Sequence, residues 1–448
     1  MIRRLYESAV VWSYVATVLR VGAGLLLLPL ILVYLSEGDI AFWYVMTAMS
    51  QMVLQLDLGF TFTISRSASY LWAGANELKS IGWASAPIPK AQPNIVLLGN
   101  LIATFRLFYF LLAAVLIVVG VLLGYIYFAW TEQDVNSSSY SIMWGLFLLG
   151  IGINFSGLLW PALLTGLNHV RMTQQLFVVS LIGNYSVALC GLVLGGGLWA
   201  LVAGQIVMGL MIRIGGEWLT RRVLHRAGWK GSGKRDTTLV RTLWGNAWRA
   251  GTVSVGAGMS REAPVYLCGL FFPASVTASL GVTFHMIRLI RQMALVWVQV
   301  KIPWMQQQWV TGHARESLAL FKRRWAVATV VYVLGVAALW LAAPTLLRIL
   351  DSDTTVLAGW PLAIIALFFL LDNNRSIFAQ LIISMNQIPF WRSWLITGLL
   401  TWPVAYVSGI TGNITVFLLS WLGLHALWVF WSIMRDALPV FSDVTRGG

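Results

Sequence analysis

The sequence predicts an all-α polytopic membrane protein of about twelve transmembrane helices in two six-helix bundles around a central cavity. Three observations predict it. Of 448 residues, 58 % are hydrophobic and only 10 % charged, with a mean hydropathy of +0.78. A soluble domain carries about 25 % charged residues, so lipid must solvate most of this surface. The apolar residues fall in runs long enough to span a bilayer, and lysine and arginine collect in alternate loops between them.

A spanning helix needs about 20 mostly apolar residues. Runs of that kind lie at Val10–Tyr34, Ala41–Ile64, Leu107–Phe128, Ser141–Leu164, Leu176–Leu194 and Leu198–Leu219. A basic stretch follows, and then Leu243–Leu270, Leu280–Ile302, Trp325–Leu350, Leu357–Ile382, Ser393–Gly409 and Ile414–Met434. The expected organisation is an N-terminal six-helix half (1–225), a basic cytoplasmic linker (226–242) and a C-terminal six-helix half (243–448). Within the linker, Ala227–Lys234 reads as a flexible glycine-rich joint. The first apolar run is about twice the ~7–15 residues of a signal-peptide core, so it is expected to remain as the first helix.

Charge supports the same topology. With the N-terminus inside, the inside loops hold Arg66, Lys79, Lys90, Arg171, Arg315, Lys322, Arg323, Arg324 and Arg392, and the linker adds Arg221, Arg222, Arg226, Lys230, Lys234, Arg235 and Arg241. The outside loops hold Glu37, Asp39, Glu132, Asp134, Asp351 and Asp353. This asymmetry is the positive-inside pattern, and an even number of spans puts both termini in the cytoplasm. The net charge of +14 therefore reports topology and not a nucleic-acid partner. Cys190 and Cys268 lie within apolar runs and form no disulfide or metal framework. No Gly-x-x-x-x-Gly-Lys-Ser/Thr loop is present to support direct ATP use, and no cofactor is expected. The outside loops are too short to carry an enzyme's catalytic apparatus, which argues against a membrane polymerase or glycosyltransferase.

Several local patterns carry a family resemblance. The chain opens with Leu19-Arg20, Pro29-Leu30 and Leu35, then a short acidic turn, then Leu56-Asp57-Leu58-Gly59 closing the second helix. Leu164-Thr165-Gly166-Leu167-Asn168 leaves the fourth helix, Gly195-Gly196-Gly197 turns between the fifth and sixth, and Ile302-Pro303 ends the eighth before a basic loop. This order resembles the polysaccharide (O-antigen and exopolysaccharide repeat-unit) flippases of the multidrug/oligosaccharidyl-lipid/polysaccharide (MOP) superfamily. Phe60 and Thr61, and the proline-rich segment Ala75–Pro93, depart from the family pattern. The resemblance implies a non-enzymatic transporter in a bacterial inner (plasma) membrane. It would move undecaprenyl-diphosphate-linked oligosaccharide to the outer leaflet by alternating access. Membrane lipids and the polysaccharide polymerase machinery are the further partners implied. A multidrug extruder of the same superfamily is the alternative within this class.

Charges inside spans are the candidate site. A charge at the bilayer centre costs roughly 2.5–3.5 kcal/mol on insertion scales, so such residues face a wet cavity or one another. Arg20 lies ~15 Å into the first helix, at 1.5 Å per residue. In the eighth span His285, Arg288 and Arg291 recur every three residues and share a helix face. A cationic stripe of this kind suits a diphosphate, whose oxygens arginine engages in charge-assisted pairs. Arg261 and Glu262 are adjacent in the seventh span, and Asp372 and Arg375 are three apart in the tenth. Arg20, Arg261, Arg288, Arg291, Arg375 and His285 are therefore the candidate substrate-binding residues. Asp57, Glu262 and Asp372 are the candidate sites for coupling to a proton or sodium gradient. The competing reading makes Glu262 and Asp372 structural partners of arginines and Asp57 a helix cap. Arg66, Arg106, Arg213, Arg249, Lys301 and Arg435 lie within reach of the inside interface and are expected to snorkel.

Overall fold

The computed structural model describes residues 9–78, 92–131, 138–299, 301–302, 305, 314–349, 354–384, 390–429, 431 and 435. Lys79, Lys90, Glu132, Asp134, Pro303, Asp351 and Asp353 lie outside the described residues. Among the described residues the chain is all helix, turn and loop, with no strand.

The helices are α1 (Ala9–Tyr34), α2 (Glu37–Leu54), α3 (Phe60–Trp72), α4 (Ile95–Trp130), α5 (Ser138–Gly157), α6 (Leu159–Gly166), α7 (Val170–Val193), α8 (Gly197–Leu210) and α9 (Gly216–Arg226). After a non-helical segment, 227–236, come α10 (Thr237–Phe271), α11 (Ala274–Gln299), α12 (Ala314–Ile349), α13 (Trp360–Ser384), α14 (Trp391–Gly409) and α15 (Ile414–Leu424). Three of the expected spans are assembled from two helices each. The 3-10 turn Gln55–Asp57 lies between α2 and α3, Leu158 between α5 and α6, and the π-turn Met211–Gly215 between α8 and α9. Within the described residues, each expected apolar run therefore falls on one helix or on one interrupted helix.

Among the described residues, six of these runs are long and apolar enough to cross a membrane by length and composition, and the chain is a multi-pass membrane protein. Two kinds of rod are visible among them. The windows in α4 and α12 are only 28 % and 17 % buried, while that in α13 is 56 % buried. Helices apolar on all sides and open on most of them are solvated by lipid, because hydrocarbon outside leaves no reason for a polar face. The runs α10 and α11 fall short of that apolarity because they carry the charged positions singled out above. Several helices run well beyond the apolar stretch: α4 starts at Ile95, not at Leu107, and α10 starts at Thr237, not at Leu243. The hydrogen-bond ladder of a helix does not stop at the membrane boundary, so hydropathy locates the lipid-crossing part and not the helix end.

By packing, the chain forms two compact units. One comprises Met1–Leu30, Val53–Ala129 and Val135–Gly251, the other Ile31–Met52, Trp130–Asp134 and Thr252–Gly448. The partition passes through helices rather than through the segment 227–236. Within the first unit that segment is docked rather than free: the Lys234 amide donates to Asn100 Oδ1 (2.7 Å), and the Asp236 amide donates to Thr104 Oγ1 (2.9 Å), both on α4. Trp229 Nε1 donates to the Ser232 carbonyl at 3.0 Å. The glycine-rich segment thus lies against α4, where glycine allows close backbone approach.

Candidate functional site

The second unit gathers most of the intramembrane charge. In α10, Arg261 and Glu262 are neighbours in sequence but serve different partners, as adjacent positions on a helix diverge by about 100°. Glu262 Oε2 lies 3.0 Å from Arg288 Nη1, and Arg261 Nη1 lies 3.7 Å from Asp372 Oδ2. Asp372, on α13, also takes Arg291 Nη2 at 3.0 Å and the guanidinium of Arg375 one turn along its own helix. Three arginines therefore converge on one carboxylate whose side chain is 1 % exposed.

Further contacts fix the cluster. Arg291 Nη2 donates to Ser376 Oγ at 2.8 Å, and the Arg375 guanidinium stacks 3.4 Å from the centre of the Trp394 ring on α14. The Arg288 guanidinium sits 5.8 Å from the Phe284 ring. Beside it on α13, the Asn374 side-chain oxygen accepts from Trp325 Nε1. His425, buried at the end of α15, donates from Nδ1 to the Trp421 carbonyl (2.9 Å) and packs edge-on against Phe368 at 4.6 Å.

Four arginines against two carboxylates leave a formal surplus of two positive charges (4 − 2 = 2) within membrane-spanning helices. The members differ in access. The side chains of Arg375 and Asp372 are 4 % and 1 % exposed, whereas those of Arg261 and Arg288 are 22 % and 27 % exposed. Chemically, the buried pair is a fixed anchor, and the two partly exposed guanidiniums keep free N–H donors for an anion. Glu262 and Asp372 are each paired with arginine, the arrangement that the competing structural reading of these carboxylates expects.

The other sequence-selected residues are placed differently. His285 packs against Tyr44, with ring centroids 6.0 Å apart. Arg20 is exposed on α1 and, like Asp57, belongs to the first unit. Asp57 caps α3: its Oδ2 accepts the Thr61 amide at 3.0 Å, while Oδ1 accepts the Thr61 hydroxyl at 2.9 Å and the Tyr109 hydroxyl at 2.5 Å. Ser376 and Trp394 escape the sequence reading. Ser376 stands four residues after Asp372, on the same helix face, which is a signal that could have found it. Nothing in the local sequence marks Trp394, whose place under Arg375 depends on how α13 and α14 pack.

The fold and its charged interior define a class: a helical, multi-pass membrane protein with a cluster of charges inside its spans. Neither a family profile nor a curated protein sequence matches the chain. Solved structures do. An inward-facing multidrug-resistance MATE family transporter of the MOP superfamily is similar, with a TM-score of 0.62 at 13 % identity, over 98 % of this chain and 99 % of that one. So is the MATE multidrug transporter DinF-BH (TM-score 0.60, 11 % identity, 98 % and 95 % covered). A MOP superfamily transporter from Pyrococcus furiosus, described by the reverse polarity of its binding pocket, gives 0.58 at 12 % identity with 97 % of each chain covered. The chain has the fold of these transporters.

Proposed function

We propose that this protein is a non-enzymatic transporter that flips undecaprenyl-diphosphate-linked oligosaccharide repeat units to the outer leaflet of a bacterial plasma membrane, for surface polysaccharide synthesis. The observation that carries this reading is the surplus of arginine over carboxylate in the second unit, with Arg261 and Arg288 partly exposed. A diphosphate is recognised by guanidinium forks, and the cost of desolvating an arginine is met when an anion joins it. Asp372 gathers Arg261, Arg291 and Arg375, which with Arg288 are the proposed substrate-binding cations of the second unit, and Arg20 is a separate candidate in the first. In this reading the two six-helix halves, 1–225 and 243–448, joined by the linker 226–242, alternate access. The saccharide follows the polar path while the polyprenyl tail stays in lipid. A proton or sodium gradient is the proposed drive, with Asp57, Glu262 and Asp372 as its candidate sites.

The second reading is multidrug export, favoured by the fold likeness to transporters described as multidrug carriers. A cationic drug would meet a site whose formal charge is already positive, which makes it the weaker of the two.

The test is genetic. The gene is deleted in its host, and surface polysaccharide and the undecaprenyl-diphosphate saccharides are analysed after complementation with wild type, Arg20→Gln or Arg288→Gln. The flippase reading expects loss of surface polymer with complete repeat units accumulating on the inner leaflet, and no rescue by either variant at normal expression. Normal polymer in the deletion strain, with raised sensitivity to cationic drugs, would establish the export reading instead. Repeat units piling up on the outer leaflet would point to a polymerase.

A further inference from the structure

A second basic site lies in the first unit, apart from the cluster around Asp372. Arg106 on α4, Arg213 in the π-turn and Arg235 in the docked segment line a cavity of about 550 Å³, together with Ala103, Leu107, Phe110 and Gly233. Among the described residues, one carboxylate pairs with this group. Glu217 Oε2 lies 2.9 Å from Arg213 Nη1, and its Oε1 lies 2.5 Å from Arg221 Nη2 and 4.0 Å from Arg106 Nη1. Four guanidiniums against one carboxylate leave a formal surplus of three positive charges (4 − 1 = 3). Snorkelling alone would spread these side chains toward water. Instead they converge on a shared concavity, and Arg106 and Arg235 are exposed in it.

Two features say what kind of anion fits. Apolar side chains are exposed at the cavity: Phe110, which lines it from α4, is 64 % exposed, and Ile214, next to the lining Arg213 in the π-turn, is 63 % exposed. Those residues belong to spans with mean hydropathies of 2.8 and 1.7, so hydrocarbon is their solvent. Trp218, 59 % exposed and 5.4 Å from the Arg222 guanidinium, marks this level as the membrane–water boundary, where amphipathic rings settle. A phosphate at headgroup depth with acyl chains directly below matches both the polar and the apolar parts; a free phosphate uses only the first. The π-turn Met211–Gly215 also fits a ligand role, since π-turns within helices occur frequently at functional sites, and this one carries Arg213.

We propose that this cavity binds the headgroup of an anionic phospholipid, its phosphate held by Arg106, Arg213 and Arg235 and its acyl chains lying along α4. On the expected topology the site is on the cytoplasmic side, where acidic lipid headgroups are recognised by basic pockets between spans. The proposal stands independently of the transported substrate.

The probe is phosphatidylglycerol. The purified protein is equilibrated in nanodiscs of equimolar phosphatidylglycerol and phosphatidylcholine, released into mild detergent, and its retained lipid is counted by native mass spectrometry. The wild type is expected to retain phosphatidylglycerol in preference to phosphatidylcholine. Arg106→Gln/Arg235→Gln should lower that retention roughly tenfold or more. Arg222→Gln, at the same level but outside the cavity lining, should leave it unchanged. Equal retention of the two lipids by the wild type, or undiminished retention by the double variant, overturns the proposal. Release of phosphatidylglycerol by millimolar inorganic phosphate also overturns it, assigning the cavity to a free anion. Should the double variant fail to remain monodisperse, Arg235→Gln alone decides the question, because Arg235 lies in the non-helical segment and supports no helix.

Discussion

Asp372 is the residue on which the charged cluster turns. Its carboxylate is buried and takes guanidiniums from α10, α11 and its own helix, so its loss strands three cations among membrane-spanning helices. Removing one partner of a buried ion pair costs about 3–5 kcal/mol, because what remains is an uncompensated charge. Asp372→Asn should therefore lower the unfolding temperature in detergent sharply. The double variant Asp372→Leu/Arg375→Leu should recover part of that loss, since it leaves fewer unpaired charges than Asp372→Asn does. If Asp372→Asn unfolds at the wild-type temperature, the cluster is not an anchor. Arg288 has a different standing. It is partly exposed, but its replacement leaves the buried Glu262 carboxylate unpaired, so Arg288→Gln is expected to lower thermal stability as well as transport.

The interruption between α2 and α3 shows how an element is specified by a few residues. Leu58 (φ 54°) and Gly59 (φ 72°) both adopt the left-handed region, which ends the 3-10 turn and re-aims the chain. Asp57 then supplies an acceptor to the Thr61 amide in the first turn of α3, and the same carboxylate accepts from the buried Tyr109 hydroxyl on α4. The sequence motif predicts the close of the second helix; the helix in fact resumes at Phe60 and continues to Trp72, because the cap restarts it. Gly251 lets α10 approach this corner, where a Cβ would come within 2.5 Å of Leu58 Cα. Asp57→Ala should lose about 1 kcal/mol of capping, while the Tyr109 hydroxyl keeps the Thr61 hydroxyl as a partner at 3.1 Å. Asp57→Asn keeps the acceptor and should stay near wild type in thermal unfolding. The same variant tests the coupling role: transport abolished by Asp57→Asn at unchanged stability assigns the charge itself a function, and retained transport leaves Asp57 a cap.

For the molecule as a whole, the segment 227–236 shows how a connection becomes part of a wall. Gly233 lies against α4 so closely that a Cβ there would come within 2.0 Å of the Gly99 carbonyl oxygen. Both partners are backbone, so the clash cannot be relieved by a rotamer change. Gly233→Ala should lift the segment from α4 and speed tryptic cleavage at Lys230, Lys234 and Arg235 several-fold, as local opening exposes backbone to proteolysis. Cleavage at the wild-type rate would mean that the docked arrangement is not the populated one. The same variant would remove Arg235 from the lipid-headgroup cavity, which links the two predictions through one contact.

The membrane class, the all-helical build and the place of every intramembrane charge along its span follow from the amino-acid order alone. Lipid imposes these rules locally: each backbone group must be satisfied within its own helix, and each run must be about 20 residues long. The cationic stripe of α11 was legible for the same reason, being a matter of spacing on one helix. Which arginine meets which acid depends instead on how the helices pack. Arg291 and Ser376 are 85 positions apart, and Arg261 reaches Asp372 from another helix altogether. The docking of 227–236 was equally hidden, because glycine in a sequence permits both a mobile joint and a close backbone contact. Only the packing of that segment against Gly99 and Asn100 selects the second.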